Sequence, residues 1–212
     1  LENLYKTLAE YVDWPERLVR TRCRYAGFEL AWQWQRYDEP LAFYQETDLY
    51  IFDLTRYQMQ HRRGGVHAWL RDQIREHDWH TVLDFGGGIA EWALIAAREG
   101  CAAWYHDLLG SVTWAYAMWR LGREDAGARV VAEPDAEAAL ARDYDAIFAM
   151  DIFEHLEDPQ PVVDAMAEHT EWLIANPAHV LYSEEFPQHI SRYQLEPAFE
   201  HVDGYLWRRA SE

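Results

Sequence analysis

From residue 81 onward the chain alternates short apolar runs with longer stretches of helical period, and this rhythm constrains the fold more than any other feature. Thr81-Val82-Leu83-Asp84-Phe85 reads as a strand, then a glycine turn and a helix over Ala90 to Arg98. Ala102 to His106 reads as a second strand with a helix over Ser111 to Leu121 behind it, and Arg129 to Val131 as a short third. Tyr144 to Met150 and Trp172 to Ala175 are the fourth and fifth, with a helix at Pro161 to Glu168 between them. Phe199 to Val202 and Tyr205 to Arg209 look like a closing pair. Such alternation predicts an α/β fold, a mainly parallel sheet covered by helices on both faces. Ligands of such sheets bind outside the carboxyl ends of the strands, so the residues just after each strand carry the functional question.

Residues 1–75 have a different texture. They hold seven of the 13 tyrosines and one glycine before Gly64-Gly65. Pro15 suits the first turn of a helix. Between Pro40 and His61, the residues Tyr50, Leu54, Tyr57 and His61 fall on one helical face, and Val66 to Ile74 gives a further short helix. The expected division is a helical region over 1–75 and a sheet domain over 76–212.

Charge divides the same way. The net charge is -18, yet residues 1–75 carry 11 basic and 11 acidic side chains, so the whole excess lies beyond residue 75. A chain this acidic repels phosphate backbones, which argues against a nucleic-acid partner. No run of 18 apolar residues is present, so no membrane span is expected, and a secretory leader is not visible; the expected location is cytoplasmic. Two cysteines are too few for a disulfide framework or a four-thiolate zinc site. The ten histidines show neither H-x-x-x-H nor H-E-x-x-H spacing, so no metal site is expected. Eleven tryptophans suggest a large aromatic cavity or lining.

The first strand runs into Gly86-Gly87-Gly88-Ile89-Ala90-Glu91. Glycines there let the backbone turn tightly and approach a ligand closely. Asp107, twenty-one residues beyond Gly86 and directly after the second strand, is placed to accept from both hydroxyls of a ribose. Glu91 stands where a dinucleotide fingerprint needs glycine, and its charge there would oppose a pyrophosphate. There is no G-K-[ST] phosphate loop, and Lys6 is the single lysine. A ribosyl ligand without phosphate fits better.

Val82 to Glu91 resembles the first motif of class I S-adenosylmethionine (SAM) dependent methyltransferases, with Ala90 in place of the usual third glycine. Tyr144 to Pro159, with its Glu154-His155-Leu156 followed by Asp158-Pro159, is similar to the fourth-strand motif of the small-molecule, ubiquinone-biosynthesis-type members. Phe186-Pro187-Gln188-His189 resembles the Pro-x-His after the fifth strand of many such enzymes. The resemblance covers about residues 78–209; the first 75 are only generally like the helical lid of such enzymes. It implies a seven-stranded, doubly wound sheet with the last strand antiparallel. It also implies that Asp84, Gly86 and Gly88 hold the methionine part of SAM, that Asp107 binds the ribose, and that Leu108 packs on the adenine. Glu133 or Asp135 would meet the adenine amino group, and Asp151, Ile152 and Phe153 would wall the sulfonium end.

His155 and His189 are the candidate catalytic bases, against a reading in which they only pack or hydrogen-bond locally. Tyr44, Tyr50 and Tyr57 are candidate substrate contacts in an aromatic lid, against a reading as core. The function implied is methyl transfer from SAM to O, N or C of a small-molecule metabolite, with S-adenosylhomocysteine (SAH) as product. Two alternatives stand beside it: a SAM-binding partner or regulatory subunit without turnover, and another SAM-using reaction on the same fold, such as cyclisation or aminopropyl transfer. Monomer and homodimer both remain open. Asn176-Pro177 follows the fifth strand rather than the fourth, so it is not the N-P-P-[YF] motif of nucleic-acid amino-methylating enzymes.

Overall fold

The computed structural model describes residues 3–177 and 187–211. Five helices come first: α1 (Leu4–Val12), α2 (Glu16–Trp34), α3 (Pro40–Glu46), α4 (Leu49–Arg63) and α5 (Val66–Glu76). Then follow β1 (Thr81–Phe85), α6 (Glu91–Glu99), β2 (Ala102–His106), α7 (Val112–Arg123), β3 (Val130–Ala132), α8 (Ala136–Leu140) and β4 (Tyr144–Ala149). The chain closes with α9 (Gln160–His169), β5 (Thr170–Ala175), β6 (Phe199–Asp203) and β7 (Leu206–Arg209).

The seven strands form one sheet in the order β3-β2-β1-β4-β5-β7-β6. The first five strands pair in parallel, and β7 runs antiparallel to both β5 and β6. Strand alternation sends Val82, Ala103, Ala146 and Phe148 to one face, where α5, α6 and α7 cover them. Leu83, Phe85, Ile147 and Ala149 face the other way, against Ala139 of α8 and Val163 and Met166 of α9. β1 lies between β2 and β4, so the sheet order reverses at its carboxyl end, which is the switch point where ligands of open α/β sheets bind.

Local chemistry sets the helix ends. Ser111 accepts from the Trp114 N–H to start α7, and Asp135 accepts from Ala138 to start α8. The stretch after Pro40 is two helices rather than one, because Thr47 leaves helical geometry and its hydroxyl accepts from the Leu49 N–H. The N-terminal helices are not loosely attached. Leu4, Leu8, Val19, Ile51 and Phe52 form one buried cluster with Ile89 of the glycine turn and Tyr116 of α7. Leu70 and Ile74 of α5 belong to the core of the sheet itself.

The tryptophans do not gather into the cavity expected of them. Trp79, Trp92 and Trp207 are buried in the two sheet-facing cores, while Trp14 in the turn before α2 and Trp32 on α2 are exposed. No helix among the described residues is long and apolar enough to cross a membrane.

Candidate active site

At the end of β1 the backbone turns through left-handed conformations at Gly86 (φ 67°), Gly88 (φ 55°) and Ala90 (φ 58°). Space is as restrictive as backbone here. A Cβ at Gly86 would lie 2.5 Å from Ile152, and one at Gly88 would lie 2.8 Å from Leu54 of α4. The turn is thus held between the loop after β4 and a helix of the N-terminal region. The Tyr105 hydroxyl donates to the Gly88 carbonyl at 2.8 Å. The Gly88 N–H donates to Asp107 at 2.7 Å, and the Leu108 N–H donates to the other oxygen of the same carboxylate at 2.7 Å. Asp107 therefore sits fixed at the end of β2, each oxygen retaining a second lone pair, a pair of acceptors that fits a ribose diol. Leu108 beside it is half-buried.

Asp84 is 1% exposed and accepts from the Ala93 N–H at 2.9 Å. Burial pushes its carboxyl up to about 8. Its carboxylate lies behind the turn, 2.6 Å from where a Cβ of Gly87 would stand, so it props the loop and the start of α6. Glu91 does not face the ligand end at all. It pairs with Arg120 of α7 at 2.7 Å, both side chains fully buried, and Arg120 also donates to the Ile89 carbonyl. The charge argument against a pyrophosphate therefore lapses, because Glu91 is neutralised inside the protein.

Of the two adenine candidates, Asp135 is exposed and caps α8, whereas Glu133 is half-buried and receives the Asp135 N–H at 3.3 Å. The Glu133 carbonyl also accepts from His106, whose ring stacks on Phe85.

The loop after β4 is the most densely bonded part of the site. Asp151 takes a left-handed conformation (φ 52°) and accepts from the Tyr57 hydroxyl of α4 and from the Asn176 amide after β5. Ile152 lies over Gly86. The Tyr44 hydroxyl of α3 is 2.8 Å from His155 Nδ1, and that nitrogen is 3.1 Å from the Gln188 carbonyl. Tyr50 stacks on Tyr44 with ring centroids 5.5 Å apart. The His155 and His189 rings meet edge to face at 5.0 Å. Burial and the neighbouring His189 push His155 down to about 3, so its imidazole is neutral.

The sequence offers Glu154 as part of the fourth-strand motif but not as a site residue. Glu154 is 1% exposed, and neither carboxylate oxygen has a hydrogen-bond partner among the described residues. Burial and the nearby charge of Asp151 push it up to about 7. The ligating atoms of Glu154, His155 and His189 lie within 4.8 Å of one another. Motif spacing could not reveal this group, because two of its members follow β4 and the third follows β5. Phe186, part of the third quoted motif, lies outside the described residues. The signal available for Glu154 was its place beside His155 in the Glu-His-Leu turn after β4, between the apolar Phe153 and Leu156. Asn176 also escaped notice as a site residue, since its partner Asp151 is distant in sequence.

A glycine turn at the switch point, with a carboxylate fixed after the next strand, is the arrangement the first motif implied. Residues 50–203 match the family described as a methyltransferase domain. The chain belongs to that methyltransferase family. It is a SAM-dependent methyltransferase of class I, with SAM as cofactor and SAH as product. Among solved structures, an O-methyltransferase family protein from Burkholderia thailandensis is similar at a TM-score of 0.59 and 15% identity, over 91% of this chain and 72% of that one. A putative O-methyltransferase from Klebsiella pneumoniae is similar at 0.52 and 14% identity, over 69% of this chain and 80% of that one. At such identities the likeness is one of fold. No curated protein sequence matches the chain.

Proposed function

We propose that this methyltransferase acts on O, N or C of a small-molecule metabolite held between the sheet and the N-terminal helices. One observation carries the reading: two tyrosines of those helices, Tyr44 and Tyr57, hydrogen-bond to His155 and Asp151, the two ends of the loop after β4. An aromatic roof joined to the loop that walls the sulfonium end supports a reading in which a metabolite is enclosed there. The acidity of residues 76–212 argues against a nucleic-acid partner, and we take the enzyme to work in the cytoplasm.

SAM when bound supplies an electrophilic methyl group on a positively charged sulfur. In our reading the turn at Gly86 and Gly88 receives the methionine part, with Asp84 holding the turn from behind. Asp107 receives the ribose, Leu108 covers the adenine, and Glu133, rather than the cap residue Asp135, reaches the adenine amino group. Asp151 and Ile152 wall the reacting end. The chief demand on the protein is to hold the acceptor in line and to exclude water. Tyr44, Tyr57 and the stacked Tyr50 supply that enclosure, and aromatic faces favour a nearby cation. His155 and His189 stand beside the acceptor, where a neutral imidazole offers a lone pair to the reacting group.

Calorimetric titration with SAM and SAH, followed by mass-spectrometric search for methylated products in a metabolite panel, tests the reading. The expected result is binding of both and at least one methylated product. Binding of neither would overturn it, and binding without a product would favour a subunit that holds SAM without turnover.

A further inference from the structure

Helix α2 is apolar on two sides. Val19, Cys23 and Ala26 are sealed against Ile51 and Phe52 of α4, and Leu30 against Phe43 and Leu49. Turned away from that core is a second stripe: Trp14 in the turn before the helix, then Leu18, Thr21, Tyr25, Phe28 and Trp32. Their spacing alternates between four and three residues without a break, the heptad rhythm of a helix that packs against another helix. All six are exposed, Phe28 to 73%, so no other element of the described chain lies over the stripe. Its first half, with Arg22 and Glu29, lines a groove of about 310 Å³.

We propose that α2 is the seam of a homodimer, in which two copies of the helix pack antiparallel about a two-fold axis. The area is sufficient. The five large side chains leave on the order of 600 Å² uncovered per copy, as much as the largest patch of an ordinary monomer. Mating two stripes buries on the order of 1,200 Å², the lower bound of a specific interface.

Charge selects both the occupant and its direction. Arg22 and Glu29 flank the stripe on one side and form an ion pair within the single chain. An antiparallel copy that sets Tyr25 against Phe28 also sets Arg22 against Glu29 of the second copy. Two-fold symmetry then repeats each contact, so both charges exchange partners and neither is left unmatched. On the other flank, Arg24 faces the small Ala31. Parallel pairing would instead bring Arg17 against Arg22. The wider distribution agrees. The excess of -18 lies wholly beyond residue 75, so contact through the sheet domains would join like charges. Helix α2 carries four Arg and two Glu, and its face is where two copies of so acidic a chain can meet.

Sedimentation equilibrium of the full chain at tens of micromolar tests the seam, with SAM affinity and circular dichroism recorded in parallel. The expected result is a monomer–dimer equilibrium. Phe28→Asp and, independently, Tyr25→Asp should weaken it by at least about tenfold while SAM affinity and circular dichroism are preserved. Arg22→Glu should weaken it as well, and Arg22→Glu combined with Glu29→Arg should restore it. A chain that stays monomeric overturns the inference, and so does undiminished association in Phe28→Asp or in Arg22→Glu. A monomer that cosediments with anionic phosphatidylserine vesicles overturns it too, because the stripe would then serve a lipid surface.

Discussion

Arg120 of α7 donates to Glu91 of α6 at 2.7 Å, and neither side chain has any exposed surface. The same guanidinium reaches the Ile89 carbonyl in the glycine turn and Glu124 at the C-terminal cap of its own helix. A cation buried this deeply persists because its anionic neighbours, Glu91 first, offset the burial that works against it. The pair fixes how α6 leaves the turn, and so bears on the site from behind.

Removing one partner leaves the other charge buried and unmatched. Arg120→Leu should lower stability by about 3–5 kcal/mol, and Arg120→Leu combined with Glu91→Leu should recover a large part of that loss. Urea unfolding of the three proteins reads the difference. Equal loss in the single and double variants would show that packing, not charge, dominates there.

Asp84 predicts a pH dependence of stability. Its carboxyl rises from an ordinary 3.8 to about 8 in the folded protein, with burial as the main cause. Between those values the folded state binds more protons than the unfolded one. Its contribution is therefore fully present below about pH 4 and is lost as pH rises through about 8. Asp84→Asn should flatten the stability profile across this window, as followed by thermal unfolding at several pH values. A profile with unchanged slope would contradict the buried environment described for it.

Gly88 is constrained twice, by φ 55° and by Leu54 at 2.8 Å from a Cβ. Gly88→Ala should cost about 1–2 kcal/mol for the left-handed backbone, with a steric penalty added. Adding Leu54→Ala should relieve the steric share and leave the backbone share. Thermal unfolding with SAM calorimetry separates the two; a double variant less stable than the sum of the singles would refute the contact.

Tyr57→Phe removes one of the donors to Asp151 while keeping the ring. An acceptor left short of a buried donor costs about 1–3 kcal/mol, so kcat/KM for the acceptor substrate should fall by about tenfold or more. SAM affinity should change less. An equal fall in both would place Tyr57 on the cofactor side of the site.

The sequence revealed the sheet well, because the apolar runs of β1 and β2 are bounded by Gly86 and Asp107 and have no competing helical period. It was less informative about the N-terminal helices. The break between α3 and α4 depends on the Thr47 hydroxyl taking the Leu49 N–H, a local bond that apolar periodicity does not register. Glu91 was misread for a different reason. Its partner Arg120 lies 29 residues away, so only the folded chain reveals that its charge is spent internally. Glu154 had the same difficulty, since its setting depends on His189 and Ser191 returning from beyond β5. Motifs record what lies along the chain, and these relationships run across it.

Helix α4 touches both halves of the site: Leu54 covers Gly88, and Tyr57 is bonded to Asp151. Its neighbouring residues Ile51 and Phe52 are sealed into the apolar cluster with Ile89 and Tyr116. On the placement of the cofactor proposed above, its departure requires that this clasp be prised away, and prising it away wets apolar surface. The pace of the catalytic cycle is expected to follow that opening rather than bond-making. Salts and osmolytes that strengthen apolar burial should slow turnover while they raise the melting temperature.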